Sequence, residues 1–168
     1  MKRRRKKFSG TSLVLLALSL ALLCGCLVYL IPTTETESDY VKISDVKVNY
    51  TEEGSVITLS SLCYELEFYT STEQGRSIEF ALKGVKPQRP LTHDVIKRIL
   101  NSFFIRVESA RILELKRGIY FAVLDLKSPF IERSLDIRPS DAVAIALRTD
   151  APILVKKELM KNLCPGMF

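Results

Sequence analysis

The sequence predicts a single compact α+β domain with a mixed or antiparallel sheet and interspersed helices, preceded by an N-terminal transmembrane helix. Three features point there. Leu13 to Ile31 is a run of 19 residues without a charge; as a helix rising about 1.5 Å per residue it would reach about 28 Å, enough to cross a hydrocarbon core. The 137 residues from Pro32 to Phe168 suit one compact domain. Within them, stretches with a hydrophobic period of two alternate with stretches of helical period, and that mixture belongs to the α+β class.

Residues 1–11 form a basic leader, in which Lys2, Arg3, Arg4, Arg5, Lys6 and Lys7 stand without an acid. By the positive-inside rule this leader stays cytoplasmic, the helix at residues 12–31 spans the membrane once, and the body is extracytoplasmic. Two alternatives share these features: a cleaved signal peptide, and a lipoprotein anchored at Cys26 through the lipobox-like Leu23-Cys24-Gly25-Cys26. The leader holds the whole basic excess, because the other 19 basic residues meet 19 acidic ones. The basic isoelectric point is therefore no argument for nucleic acid. Within the body, Pro32 to Leu82 has three basic and ten acidic residues, while Lys83 to Arg117 has nine basic and three acidic. The second stretch offers a patch that a polyanion could use, and a solvated charged surface is the bland alternative.

Residues 32–39 read as a polar linker and residues 40–168 as the folded domain. Val41, Ile43, Val46 and Val48, then Val56 to Leu59, then Tyr64 to Tyr69 read as successive strands, with a turn at Glu52 to Ser55. A helix from about Thr72 to Lys83 places Ile78, Ala81 and Leu82 on one face and ends at Gly84. A second helix opens at Pro90-Leu-Thr92 with Thr92 as N-cap and carries an apolar face of Val95, Ile96, Ile99, Leu100 and Phe103. Ile105 to Lys116 and Ile119 to Leu126 read as a hairpin around Arg117-Gly118. Ser140 is expected to cap a third helix, Asp141 to Arg148, whose apolar run is buried all round. A strand at Ala151 to Val155 and a helix at Lys156 to Leu163 close the chain. Cys63 and Cys164 could pair in an oxidising compartment; two small buried thiols are the commoner reading.

The chain lacks Gly-x-Gly-x-x-Gly, a phosphate loop, a Gly-x-Ser-x-Gly elbow and His-Glu-x-x-His. His93 is its one histidine, so a zinc site built on several imidazoles is excluded and any metal would need carboxylates, which suit magnesium, manganese or calcium. Two segments gather the candidate chemistry: Arg89-Pro-Leu-Thr-His-Asp94 and Asp136-Ile-Arg-Pro-Ser-Asp141. Each leads through Arg-Pro to a helix N-terminus with a hydroxyl and an acid in the first turn. Backbone N–H groups there can hold a phosphate, Arg89 or Arg138 can clamp it, and His93 can move a proton. Simple capping by Thr92 and Ser140, with Asp94 and Asp141 complementing the helix dipoles, explains the same residues, and Asp94 with Arg98 could be only an i,i+4 pair.

The run Arg89 to Val95, followed by Asp136-Ile-Arg-Pro-Ser-Asp-Ala-Val-Ala-Ile-Ala-Leu-Arg148 and Ala151-Pro-Ile-Leu-Val155, resembles the bifunctional nuclease domain family. The resemblance covers roughly Val41 to Met160 and implies degradation of DNA and RNA. Glu73 falls where the family has a Glu-Ala pair opening a helix. The chain departs from the pattern at Tyr64 to Tyr69 and at Gln74, where the family has an apolar strand and Ala. The resulting expectation is a membrane-tethered, DNase/RNase-like hydrolase assisted by a divalent metal, magnesium or manganese. His93, Asp94 and Asp141 are the catalytic candidates; Arg89, Arg138 and Ser140 bind phosphate; Asp136, Asp141 and Glu73 are the metal candidates. Nucleic acid is the expected partner, with the membrane through residues 12–31, and the Ala-rich helix is compatible with a homo-oligomer. The competing expectation is a non-catalytic membrane-anchored binding module of the same fold that recognises a protein or polyanion.

Overall fold

The computed structural model describes residues 39–165. The expected leader and membrane helix, and nearly all of the linker, lie outside the described residues, as does the Cys26 lipidation site. Among the described residues no helix is long and apolar enough to cross a membrane.

Strands β1 (Tyr40–Lys42), β2 (Asp45–Thr51), β3 (Gly54–Ser61) and β4 (Tyr64–Thr70) come first; the expected single strand through Val41, Ile43, Val46 and Val48 is divided into β1 and β2, which join different sheets. Helices α1 (Thr72–Leu82) and α2 (Thr92–Ser102) follow, then β5 (Arg106–Lys116), β6 (Ile119–Lys127), β7 (Glu132–Ile137), α3 (Pro139–Thr149), β8 (Ile153–Lys156), a 3₁₀ turn and β9 (Lys161–Asn162). Two sheets result: one in the order β1-β8-β5-β6-β7, mixed because β5 and β8 run parallel, and one antiparallel in the order β2-β3-β4-β9. The β5–β6 hairpin closes through Arg117 and Gly118, both at positive φ (51° and 79°), the geometry that a two-residue turn requires.

Helix α3 lies at the centre of the described domain. Ala142, Val143, Ala144, Ile145 and Ala146 are buried among α1, α2, β5 and β6, as its all-round apolar sequence predicts. The alanines are thus spent on packing within the chain, and the Ala-rich helix gives no surface for a second copy.

The helices begin one or two residues earlier than their hydroxyls suggest. Leu91, not Thr92, is the N-cap of α2, and Arg138, not Ser140, is the N-cap of α3. Pro139 occupies the first helical position, where its fixed φ is preorganised and its missing N–H costs nothing. Ser140 is therefore carried into the helix and buried.

Three further expectations are corrected. The inner face of α1 is Gly75, Ser77 and Ile78, and Leu82 is exposed. The rotation follows from close approach to β3, since a Cβ on Gly75 would lie 2.6 Å from Ser55 Cβ. Gly75→Ala is accordingly expected to cost about 1–3 kcal/mol by overpacking, read as a lower urea midpoint with an unchanged slope. The apolar face of α2 divides: Leu100 is buried and Ile96 packs on the core, whereas Val95, Ile99 and Phe103 are exposed. Finally, Lys156 to Leu163 is not a helix. Lys161 and Asn162 pair with Glu65 and Tyr64 of β4, and the following Cys164 forms a disulfide with Cys63, so the reading as two separate thiols is also replaced.

Candidate active site

Three helix N-termini converge on one open cleft of about 400 Å³. Helix α1 lines it with Glu73, Gln74 and Ser77, the start of α2 with Leu91, Thr92, His93 and Ile96, and the β7–α3 corner with Ile137, Arg138 and Asp141. Each N-terminus brings the positive end of its helix dipole to this region, and at α1 the Ser71 hydroxyl already accepts from Gln74 N. The dipoles favour an anion there, while the lining itself carries one cation, Arg138, and two carboxylates, Glu73 and Asp141.

A hydrogen-bonded chain of side chains crosses the cleft. Ser77 Oγ lies 2.8 Å from His93 Nδ1, His93 Nε2 lies 3.1 Å from Asp141 Oδ1, and Arg138 Nε donates to Asp141 Oδ2 at 2.7 Å. A carboxylate can only accept, so the imidazole proton sits on Nε2 and Nδ1 accepts from the Ser77 hydroxyl. Ser77 and His93 are buried, Asp141 is partly exposed, and the Arg138 guanidinium is largely exposed at the mouth.

Burial pushes the His93 imidazole below its ordinary value, and Arg148 adds to this; Asp141, through its hydrogen bond and charge, pulls the other way without reversing it. The ring is neutral at pH 7. The unfolded chain binds that proton near pH 6.5 and the folded chain only below it, so the contribution of His93 to stability is complete above about 6.5 and is lost as pH falls from there through the lowered folded value. The denaturant midpoint should fall between pH 7.5 and 5.5 by less in His93→Gln than in the unsubstituted chain.

Asp94 belongs elsewhere. Its Oδ2 accepts from Leu91 N at 2.8 Å, and its Oδ1 accepts from Arg148 Nε at 2.6 Å, so its partner is Arg148 rather than Arg98. Burial opposes the charged form of Asp94, but Arg148 and the Leu91 N–H outweigh it and hold the carboxyl below the usual range. Arg148 also donates to the carbonyls of Ser77 at 3.1 Å and Ala144 at 2.9 Å. One buried guanidinium therefore ties α1, α2 and α3 together behind the cleft.

The remaining candidates are placed as follows. Asp136 pairs with Val123 on the face of the sheet opposite Ile137, so it points away from the cleft. Arg89 is exposed on the loop before α2 and does not line the cleft, and buried Ser140 does not line it either. Glu73 does line it; hydrogen bonds from its own backbone N–H and from Ser71 hold its carboxyl low. Among the described residues no group of three or more His, Cys, Asp and Glu is placed to hold a metal. The residues present do not fit a preformed magnesium or manganese centre.

Two residues of this site were not among the sequence candidates. Ser77 gave no signal, because the apolar period put Ile78, Ala81 and Leu82 on the inner face. Arg148 did give one: a cation in the last turn of an all-apolar helix must find a partner if the helix is buried.

The family model for the bifunctional nuclease domain matches residues 65–164. The chain belongs to the bifunctional nuclease domain family. The match spans α1, α2, α3 and every residue of the cleft. Among relatives, an uncharacterised protein of Mycobacterium tuberculosis (strain ATCC 25618 / H37Rv) is 29% identical over 124 residues, which cover 71% of this chain and 73% of that protein. Bifunctional nuclease 1 of Oryza sativa subsp. japonica is 33% identical over 85 residues, 49% of this chain and 26% of that protein. Bifunctional nuclease 2 of Arabidopsis thaliana is 36% identical over 84 residues, 47% of this chain and 25% of that protein. The aligned region thus spans about a quarter of each plant protein.

Proposed function

We propose that this chain is a nuclease that hydrolyses phosphodiester bonds of DNA or RNA in the cleft built on Ser77, His93, Asp141 and Arg138. The observation that carries the reading is the convergence of three helix N-termini and an exposed arginine on a carboxylate–imidazole pair. The first features are what a phosphate needs, and the pair is what a proton needs.

The scissile phosphate rests against the Arg138 guanidinium and the N-terminal turns, which stabilise the charge that builds up on its oxygens. Asp141 orients a water molecule in line with the leaving oxygen and takes its proton as the new P–O bond forms and the old one breaks. The leaving oxygen is protonated by solvent at the open mouth. Neutral His93, fixed by Ser77, donates Nε2–H to Asp141 and holds the carboxylate in position. Protonating His93 would put a second proton on Nδ1 and end the acceptance from Ser77, so activity falls on the acid side.

The test is release of acid-soluble nucleotides by the full-length chain from single-stranded DNA, duplex DNA and RNA, with magnesium, manganese or a chelator. Cleavage of any of the three supports the reading. A folded chain that binds nucleic acid and cleaves none of them under any condition would instead be the non-catalytic module.

The same proposal includes a tether: residues 12–31 span a membrane and the body lies on its outer side. The uncharged run behind the basic leader supports this, and so does the Cys63–Cys164 disulfide, a bond that persists in oxidising compartments and is rare in the cytosol. Incorporation of labelled lipid at Cys26 would replace the helix by a lipid anchor.

A further inference from the structure

A second cleft, of about 520 Å³, lies on the other side of the α2 N-terminus. Leu91, Thr92 and His93 line the first cleft while Pro90 and Asp94 line the second, so the start of α2 is their dividing wall. The second cleft brings together the basic side chains Lys86, Lys97, Arg98 and Arg148 against the acids Asp94 and Asp150. Asp94 is already committed to Arg148, and Lys97 donates to the Arg148 carbonyl. Lys86 and Arg98 are exposed, and so is Arg89, which lines neither cleft but lies between Gln88 and Pro90 of the second and two residues before Leu91 of the first.

The pattern along α2 explains the separation. Asp94, Lys97, Arg98 and Asn101 recur at helical spacing and all line the second cleft, whereas His93 and Ile96 line the first. This polar stripe runs for about 10 Å at about 1.5 Å per residue, with its two cations, Lys97 and Arg98, at its middle. These cations account for part of the excess between Lys83 and Arg117, where nine basic residues meet three acidic ones. Gathered in a concavity, they attract an anion more strongly than the same charges spread over a convex surface.

We infer that the second cleft holds the sugar–phosphate backbone of a polynucleotide strand flanking the bond that is cleaved, with Arg89 bridging to Arg138. The inference rests on the nuclease reading and adds to it a second, separate grip on the strand to one side of the scissile bond. Phosphates along the strand meet Lys86 and Arg98 by charge alone, so the grip is independent of sequence and falls with salt.

The test reads binding separately from turnover. The full-length chain carrying Asp141→Asn is titrated into a fluorescent single-stranded oligodeoxythymidine across a range of salt concentrations, with and without Lys86→Glu/Arg98→Glu. Removing two phosphate contacts should weaken binding at least tenfold and flatten the slope of log affinity against log salt by about 1.4. Lys47→Glu, a charge reversal on an exposed strand residue that lines neither cleft, should change neither. Binding by the double variant equal to that of its parent overturns the inference, as does a parent that does not bind. The failure of the nuclease reading looks different: no cleavage by the unsubstituted chain, with the salt-dependent grip of Lys86 and Arg98 intact.

Discussion

Arg148→Met should destabilise the domain by about 3–5 kcal/mol, the range for breaking a buried ion pair from one side. The Arg148 side chain is 7% exposed and Asp94 is 27% exposed, so the carboxylate left behind recovers only part of its hydration from the second cleft that it lines. Two carbonyls, Ser77 O and Ala144 O, lose the same donor. Methionine fills much of the volume, so the loss reports on charge and hydrogen bonding more than on a cavity. Asp94→Asn on top of Arg148→Met should restore part of the stability, because the amide removes the stranded charge and its oxygen can still accept from Leu91 N. Urea denaturation of the three variants checks this. A loss below about 1 kcal/mol for the single variant would mean that Arg148 is not the tie between the helices.

The second large effect is on turnover. His93→Gln should lower cleavage about a hundredfold, because Asp141 loses the Nε2–H that holds it in place, and a misplaced base loses much of its contribution. Ser77→Ala should lower it less, by about tenfold, because the imidazole remains and only its tautomer and orientation are released. The pH profile separates this role from simple support of the fold. In the unsubstituted chain the acid limb should fall below pH 6.5, the ordinary imidazole value, because burial lowers the His93 pKa. In Ser77→Ala the limb should shift. A scaffold defect would lower the rate at every pH and leave the limb in place.

Most of the fold was legible where one face of an element is buried and the other is wet. Strands β2 and β4 alternate visibly, β3 and β6 are short apolar runs bounded by turns, and α3 reads as buried because every position from Ala142 to Leu147 is apolar. Strand β7 was missed for the opposite reason. It is an edge strand with five of its six residues exposed, and Glu132-Arg-Ser-Leu-Asp-Ile137 has the charged composition that protects an edge but hides a strand. The C-terminal segment was misread because Leu159, Met160 and Leu163 have helical spacing, whereas pairing with β4 and the disulfide to Cys63 decide its conformation. Local pattern does not contain that long-range information.

The site was legible in its segments and not in its pairings. The two Arg-Pro segments do border one cleft, and His93, Asp141 and Arg138 meet there. Asp94 and Asp136 did not follow them, since one neighbour along a helix turns about 100° away and one neighbour along a strand faces the other side. Ser77 comes from a helix whose orientation is set by Gly75 packing against Ser55, a contact that no periodicity announces.

The most direct measurement compares the full-length chain with Asp141→Asn, both shown to be folded by circular dichroism, in cleavage of single-stranded DNA and RNA at pH 7. Asparagine preserves shape and can still accept from His93 Nε2, but it cannot take a proton from water. A loss of at least about a hundredfold with unchanged binding of the oligonucleotide is the predicted result. Equal cleavage by the two proteins would contradict the assignment and place the chemistry outside this cleft.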